Sequence, residues 1–252
     1  MRYNRYMNLI KLIGAQHNII LVGGGGKTGF IERLESELWR AGHPVLVSLS
    51  TRLGREQLGH LGRVEAGNQD EALEAARRTG RGERLILAGP FRPDNISQNK
   101  LSGLPLDYFA PLREALGPEP YLLIEADGSA GRPLKCHRPD EPLLPPLPGF
   151  VVAVLGLSLL LQPWPEAVHR PEILQSFLKP PPENKPLSPA QTAEYVGRAW
   201  RRFQPDLIFL NQSDVLKTEA EIALGRDLAE RLRADAWPVA AGSLQEGYLS
   251  QL

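Results

Sequence analysis

Seven short apolar runs, separated by amphipathic stretches, are the feature that most restricts how this chain can fold. Each run is continuously hydrophobic rather than alternating, which is typical of parallel strands covered by helices on both faces. The runs are Asn18–Val22, Pro44–Leu49, Arg84–Ala88, Tyr121–Glu125, Phe150–Leu155, Pro205–Leu210 and Trp237–Ala241. The pattern predicts a three-layer α/β/α fold with a mostly parallel sheet of about seven strands.

Apolar residues at helical spacing indicate five helices between these strands. The helical stretches are Lys27–Arg40, Asp70–Arg78, Leu106–Leu116, Pro189–Phe203 and Glu219–Arg233. The length of 252 residues is that of one α/β domain, so we expect residues 1–252 to form a single domain. Residues 163–189 form a proline-dense insert, which we interpret either as a lid or binding element or as an ordered surface wrap.

The charge balance and the cysteine content limit the classes of function. Lys plus Arg and Asp plus Glu number 29 each, which gives no support for broad binding to a nucleic-acid backbone. A single cysteine, Cys136, excludes an intramolecular disulfide and a cysteine-built metal site. The longest apolar run, Phe150–Leu161, is shorter than the about 20 residues that span a bilayer, and no signal peptide is evident. We therefore expect a cytoplasmic protein that binds neither nucleic acid nor membrane.

A glycine-rich turn follows the first apolar run directly and precedes the first predicted helix. It consists of Gly23, Gly24, Gly25, Gly26, Lys27, Thr28 and Gly29. Glycines let the backbone turn tightly, and a helix N-terminus presents unpaired N–H groups and a partial positive charge to an anion. We expect this turn to hold the phosphates of ATP or GTP, with Lys27 on the outer phosphates and Thr28 on Mg²⁺. Leu21 occupies the place of the usual first glycine, so the loop is short, and a plain turn with a solvated lysine is the alternative.

Two carboxylates end the fourth apolar run. Glu125 and Asp127 are two residues apart, so they share a face of a strand, and Asp127-Gly128 ends that strand. Ligands of open α/β sheets collect at this carboxyl edge. We expect Asp127 to hold Mg²⁺ with Thr28, and Glu125 to orient a water molecule. In that scheme Lys27, Glu125 and Asp127 are the catalytic residues, and a solvated turn carboxylate is the alternative.

Polar residues at two later strand ends are candidates for reading a base. Asn211, Gln212 and Asp214 resemble the NKxD base-reading loop of GTPases, with Gln212 in place of the lysine. Ser243 follows the last apolar run in the place of the second base-side loop. We expect Asn211, Asp214 and Ser243 to contact the nucleotide, whose base stays open between adenine and guanine. The alternative is that these residues only cap turns and helices.

The segment after Asp127 carries further polar groups. Arg132 and Lys135 add positive charge that could hold a phosphate or an acidic ligand. Cys136 and His137 follow, and a thiol there could accept a sulfur or selenium species, although an inert buried cysteine is the favoured interpretation.

Several segments together resemble the YqeC family, which is linked to accessory proteins of selenium-dependent hydroxylases. The segments are GGGGKT, EADGSAGRPLK, HRPDEPLLP, AVHRPEIL, LNQSD, AGSLQEG and NKLSGLP, and they extend over nearly the whole chain. The resemblance implies a P-loop NTPase-like fold and a role in the maturation of molybdenum hydroxylases that carry selenium. It also implies that Ser129, His169 and Arg170 belong to substrate motifs, together with Lys135. The family tends to run threonines after Lys27, where this chain has Gly29 and Phe30.

Three functions follow from these observations. The first is a Mg²⁺-dependent accessory factor that binds ATP or GTP, acts as a slow NTPase, and serves a molybdenum hydroxylase or the delivery of its selenium. The second is a small-molecule phosphotransferase, with an acceptor pocket around Arg132, Lys135 and His169. The third is a non-catalytic binding protein that keeps the glycine loop as a scaffold.

Overall fold

The structure, a computed structural model, describes residues 8–54, 58–90 and 100–252. Its helices are α1 Leu9–Ile13, α2 Lys27–Arg40, α3 Gln69–Gly80, α4 Phe109–Leu116, α5 Trp164–Ala167, α6 Pro171–Phe177, α7 Pro189–Ala199 and α8 Glu219–Ala234. Its strands are β1 Asn18–Gly23, β2 Val45–Leu49, β3 Leu53–Gly54, β4 Gly62–Glu65, β5 Leu85–Ala88, β6 Lys100–Leu101, β7 Tyr121–Glu125, β8 Leu134–Lys135, β9 Phe150–Gly156, β10 Val168–His169, β11 Leu207–Asn211, β12 Val239–Ser243 and β13 Tyr248–Ser250.

A nine-stranded sheet forms the centre of the molecule, in the order β13-β12-β11-β9-β1-β7-β2-β5-β4. Among these described strands only β12 and β13 pair antiparallel. Strand β1 lies between β7 and β9, with Leu21 opposite Glu125 on one side and Gly23 opposite Val154 on the other. Because chain connections run to both sides of β1, its carboxyl end opens into the crevice where such sheets bind ligands.

Alternate residues of each central strand pack on opposite faces of the sheet. Ile20 and Val22 belong to a core with α3, α4, α7 and α8, whereas Ile19 and Leu21 belong to a second core with α1 and α2. Burial on both faces explains why these strands are continuously apolar in sequence. The three-layer architecture therefore follows from the pattern of the seven runs.

The predicted α/β fold and all seven predicted strands are confirmed, but the sheet has nine strands. The two additional strands, β4 and β13, lie at the edges and contain only half-buried or exposed residues. They lack a continuous apolar run because each is covered less fully than the centre, and hydrophobicity alone does not reveal them. The five predicted helices are present, although two of them include a 3-10 turn, at Leu106–Tyr108 and Trp200–Arg202.

Residues 163–189 are ordered and contain α5, β10 and α6. Trp164, Leu174 and Leu187 are buried in the larger core, so this segment wraps part of the domain. Strand β10 pairs with β8, which brings His169 opposite Lys135. The wrap thus also contributes residues beside the carboxyl edge of the sheet. Within the described ranges, no helix is long and apolar enough to cross a membrane.

Candidate functional site

The glycine loop connects β1 to α2 at the carboxyl edge of the sheet, and its glycines are required by close packing against protein backbone. A Cβ on Gly24 would lie 2.5 Å from the carbonyl oxygen of Arg132, and one on Gly25 would lie 2.4 Å from the backbone nitrogen of Gly156. Gly25 and Gly26 also have φ values of +77° and +124°, which side chains rarely adopt. The loop therefore has one conformation, fixed by the strands around it.

Two N–H groups of this loop already have protein partners. The N–H of Gly24 donates to the carbonyl of Val154, and that of Gly25 to the carbonyl of Arg132. The first turn of α2 differs, because its N-cap, Gly26, supplies no capping side chain among the described residues. Since first-turn N–H groups have no partner within a helix, the start of α2 presents the open donors of this site.

Lys27 lies on that first turn and is buried, with 4% of its surface exposed. Its Nζ donates to the carbonyl of Gly23 at 2.7 Å and lies 3.1 Å from Oδ1 of Asp127 and 4.0 Å from Oε1 of Glu125. A lysine is almost never buried without a partner, so the two carboxylates hold this charge inside the site. The solvated lysine of the alternative interpretation is not what the structure contains.

Thr28 and Glu125 form the second contact between α2 and β7. The Thr28 hydroxyl donates to Oε2 of Glu125 at 3.0 Å. The sequence suggested Asp127 as the partner of Thr28, but Asp127 lies two residues past the end of β7, and its Oδ2 accepts the N–H of Gly23 in β1. The hydroxyl and carboxylate that lie together are therefore Thr28 and Glu125.

Asp127 is 2% exposed and has partners on three sides. Its Oδ2 accepts the N–H of Gly23 at 2.8 Å and contacts Nε2 of His137 at 2.5 Å, while Oδ1 faces Lys27. The Lys27 contact is an ion pair by distance rather than an aligned hydrogen bond, since Oδ1 lacks a hydrogen-bond partner in the described part of the chain. Asp127 fixes the loop to the strand end and to His137.

The two carboxylates ionise differently. Burial raises the pKa of Glu125, and the opposing effects of Lys27 and Thr28 are smaller. Burial also acts on Asp127, but Lys27, His137 and Lys135 together outweigh it and lower the pKa of Asp127. Asp127 is thus the more readily ionised carboxylate of the site, and Glu125 is the one whose protonated form burial favours.

His137 is neutral in this arrangement, because burial lowers its pKa even though Asp127 opposes the shift. An ionised carboxylate only accepts hydrogen bonds, so Nε2 of His137 carries the proton and donates it to Asp127. The sequence did not single out His137 for this role. The histidine lies two residues after β8, and only the return of that segment to the end of β7 reveals the contact.

The site suits Mg²⁺ in the manner of an ion held largely by phosphates. The described residues contain no cluster of three or more His, Cys, Asp or Glu side chains that could hold a metal by themselves. Mg²⁺ commonly uses one or two protein oxygens, retains water, and takes its other ligands from phosphate. Thr28 and Glu125 provide a hydroxyl and a carboxylate within 3.0 Å of each other, which fits that chemistry.

A cleft of about 510 Å³ opens on the β11 side of the loop. Gly26, Gly29, Gln212, Asp214 and Leu244 are among its lining residues. Asp214 therefore lies where the sequence predicted a base-reading carboxylate, in a half-buried position. The cleft meets the loop at Gly26, so a nucleotide could extend from this cleft across the start of α2.

Asn211 and Ser243 support this cleft from behind. Asn211 donates from Nδ2 to the carbonyl of Gly25 at 2.7 Å and accepts the N–H of Leu244 at 3.0 Å. Ser243 is fully buried, and its hydroxyl accepts the N–H of Glu246. Both side chains are engaged by backbone groups, and Asn211 also lines the cleft. These contacts brace the loops, and direct contact with a nucleotide stays a prediction.

The predicted substrate residues separate into three places. Lys135, His169 and Arg170 line one cleft of about 910 Å³. Ser129 lines a different pocket, of about 530 Å³, together with Lys27, Thr28 and Glu125. Arg132 is exposed and donates to the carbonyl of Glu166, so the structure does not bring its guanidinium to the other cations.

Cys136 is fully buried, and burial raises the pKa of its thiol to about 12. A thiol with such a pKa is protonated at neutral pH and is a poor nucleophile. The structure favours the inert interpretation of Cys136 over a sulfur or selenium carrier.

Asn99 of the segment NKLSGLP lies outside the described residues.

Comparisons with known proteins agree with the sequence resemblance. The family model described as YqeC protein matches residues 19–172. Similar solved structures include chloroplast FtsY from Physcomitrella patens and the hydrogenase maturation factor HypB from Archaeoglobus fulgidus, each with 14% identity. The FtsY match covers 94% of this chain with a TM-score of 0.39, and the HypB match covers 93% with a TM-score of 0.37. This chain spans 63% of that FtsY chain and 84% of that HypB chain. Among curated proteins, no sequence matches this chain.

Proposed function

This chain belongs to the YqeC family, and we propose that it binds a purine nucleoside triphosphate with Mg²⁺ and hydrolyses it slowly. The phosphates bind at the start of α2, and the base enters the cleft beside Asp214. The nucleotide is ATP or GTP. The role we assign to this cycle is that of a cytoplasmic accessory factor in the maturation of molybdenum hydroxylases or the delivery of their selenium.

The observation that carries this proposal is the buried position of Lys27. A lysine on the first helical turn after four glycines is held by Asp127 and Glu125 at the end of the neighbouring strand. Its charge adds to the partial positive charge of the helix N-terminus, and both face an open pocket that also contains Thr28. The open N–H groups at the helix start, beside a lysine placed at the same turn, support the binding of a polyphosphate.

Each polar group then has a stated task. The N–H groups of the first turn of α2 and Nζ of Lys27 bind phosphate oxygens, and Lys27 exchanges its contact with Asp127 for one with phosphate. Thr28 and Glu125 would hold Mg²⁺, which supplies charge neutralisation on the phosphates when bound. Asp127, held by Gly23 and His137, keeps the loop in place while Lys27 changes partners. Oε2 of Glu125 accepts from Thr28, so its other oxygen, Oε1, would orient the attacking water.

The client protein follows from the resemblance rather than from the site. The YqeC family is linked to selenium-dependent molybdenum hydroxylases, and the site itself contains no reactive thiol, since Cys136 is buried. A nucleotide-driven change of conformation is therefore the route by which this protein would act on such a client. The selenium itself would be carried by the client or by another factor.

Isothermal titration with ATP and GTP, in the presence and absence of Mg²⁺, tests the proposal. We expect Mg²⁺-dependent binding of one nucleotide, and Lys27→Ala weakens it by about a hundredfold, since it removes a charge-assisted contact. Thr28→Ala is expected to reduce the dependence of nucleotide binding on Mg²⁺. It should change the free energy of unfolding less than Lys27→Ala does. Lys217→Ala, which removes an exposed lysine, is the matched control. Absence of binding by the wild-type protein would instead favour the non-catalytic scaffold.

One observation supports a phosphotransferase as the second candidate. The 910 Å³ cleft and the pocket beside Lys27 share Arg52, Gly128 and Ala130 as lining residues, so an acceptor in the cleft would lie near the outer phosphate. Labelled γ-phosphate separates the two functions. Release of the label as inorganic phosphate supports hydrolysis, and its recovery on an organic compound supports transfer.

A further inference from the structure

The cleft beside the phosphate pocket is formed by segments from seven parts of the chain. They are the residues after β2, the residues after β4, Pro90 after β5, the turn before the 3-10 helix at Leu106–Tyr108, the segment after Asp127, strand β8 with the residues that follow it, and strand β10 with Arg170. At about 910 Å³ it lies within the range of small-molecule sites, and it is larger than the cleft assigned to the base. The nucleotide scheme leaves this volume without an occupant.

The charge of this cleft is strongly one-sided. Its described lining residues include four cations, Arg52, Lys135, Arg138 and Arg170, but only one carboxylate, Glu141. The whole chain has equal numbers of acidic and basic residues, so the excess is a local property of the cleft. A concave surface lined by one sign of charge concentrates ligands of the opposite sign.

The cations are held in place by specific contacts. Lys135 is 1% exposed, and its Nζ donates to the carbonyl of Gly128 at 2.7 Å and lies 3.3 Å from Oε2 of Glu141. Arg170 forms two hydrogen bonds to Glu141, one of them at 3.0 Å from Nη2 to Oε1. Glu141 thus fixes two side chains, and Asp127 also acts on the charge of Lys135. Lys135 is therefore held in place rather than solvated.

The pKa of His169, on β10, depends on the same charges. Burial, followed by the charges of Arg170 and Lys135, lowers the pKa of His169. The cleft therefore already resists one more positive charge. An anion placed between these residues would relieve that repulsion.

We propose that this cleft binds a small organic anion, bearing carboxylate or phosphate groups, as a second ligand next to the nucleotide. Its acidic groups contact Lys135, Arg138 and Arg170, and its carbon skeleton packs on Tyr108 and Leu143, which also line the cleft. The position of this anion next to the phosphates rests on the proposed function. The binding of the anion itself needs no nucleotide. The sequence suggested a phosphate or acidic ligand for Lys135, and the cleft adds Arg138 and Arg170 as further contacts for such a ligand.

The test is isothermal titration of the nucleotide-free protein with citrate and, separately, with inorganic phosphate, each to about 10 mM. We expect one of the two anions to bind, which also tells a carboxylate ligand from a phosphate ligand. Arg170→Gln should weaken that binding about tenfold, as expected for the loss of one charge-assisted contact. Arg138→Gln, at an exposed position, should weaken it about threefold without affecting folding.

Arg198→Gln is the control, because Arg198 also pairs with a glutamate but lies on α7, outside the lining of the cleft. Failure of both anions to bind the wild-type protein would overturn the inference, as would binding that is unchanged in both cleft variants. Anion binding without any nucleotide binding would refute the proposed function alone. Nucleotide binding without anion binding would refute this inference alone.

Discussion

The glycine loop and the cleft lined by Lys135 and Arg170 lie side by side but are built in different ways. In the loop, backbone packs against backbone, with Gly24 and Gly25 close to Arg132 and Gly156, and Asp127 closes the arrangement from β7. In the cleft, side chains from separate segments meet at Glu141. The loop therefore depends on the integrity of the fold, whereas the cleft can change its ligand preference through single side chains. Substitutions should separate the two regions by their effect on stability.

The largest effect on stability is expected from Asp127→Ala in the loop region. It leaves Lys27 buried with only the more distant Glu125 as a counter-charge, and breaking a buried pair costs about 3–5 kcal/mol. Urea unfolding measures the change. Asp227→Ala removes an exposed carboxylate paired with Arg231 and should cost less than about 1 kcal/mol. Equal losses in the two variants would contradict the role given to Asp127.

Gly25→Ala should lower the free energy of unfolding by about 2–3 kcal/mol, because the added Cβ overlaps the backbone of Gly156 at a left-handed φ. Gly42→Ala is matched to it, since Gly42 has a φ of +86° but no atom within 4 Å of the added Cβ. That control should lose about 1 kcal/mol, from the backbone conformation alone. A difference between the two variants isolates the contact of the loop with β9.

Asn211→Ala should cost about 1–2 kcal/mol, because it leaves the carbonyl of Gly25 and the N–H of Leu244 without their partner. If Asn211 braces the loop rather than reading the base, the affinities for ATP and GTP fall by the same factor. Titration of both nucleotides against the variant measures this. A change in the preference between ATP and GTP would instead support a direct contact between Asn211 and the base, as the sequence suggested.

The smallest change in stability at neutral pH is expected from substitutions in the cleft. Their effect is better measured from the pH dependence of the free energy of unfolding. Burial alone would raise the pKa of Glu141, but Arg170 and Lys135 outweigh it and lower the pKa from 4.5 to about 2. A carboxyl whose pKa is lower in the folded state stabilises the fold above its unfolded pKa. That contribution is lost as the pH falls through the folded pKa.

Wild-type protein should therefore lose part of its stability between about pH 5 and pH 2. Arg170→Gln should reduce this pH dependence, because Glu141 then keeps only Lys135 and the backbone N–H of Arg138 among these partners. Urea unfolding at several pH values measures the slope. Arg198→Gln should leave the slope unchanged. An unaltered slope in Arg170→Gln would contradict the claim that Arg170 lowers the pKa of Glu141.

Local patterns in the sequence were enough to predict the seven central strands, the start of α2 at Lys27 and the position of the glycine loop between them. These features depend on residues that are neighbours in the chain or on burial common to a whole strand. The edge strands β4 and β13 were missed because partly exposed strands carry little hydrophobic signal. Within the candidate site, the sequence predicted that Lys27, Thr28, Glu125 and Asp127 lie together. It paired Thr28 with Asp127, whereas the structure pairs Thr28 with Glu125.

Periodicity and strand ends are properties of the chain alone, and they were enough to predict the α/β layering and a lysine and two carboxylates at the carboxyl edge of the sheet. Which partner each group has depends on the tertiary fold. Asp127 turns to Gly23 and His137, Thr28 meets Glu125, and the pairing of β8 with β10 brings Lys135 to His169 and Arg170. These contacts join residues far apart in the chain, and their geometry depends on how the strands and returning segments pack. The glycine loop is visible in the sequence, but the reason for its glycines is the backbone of Arg132, Val154 and Gly156 packed against it.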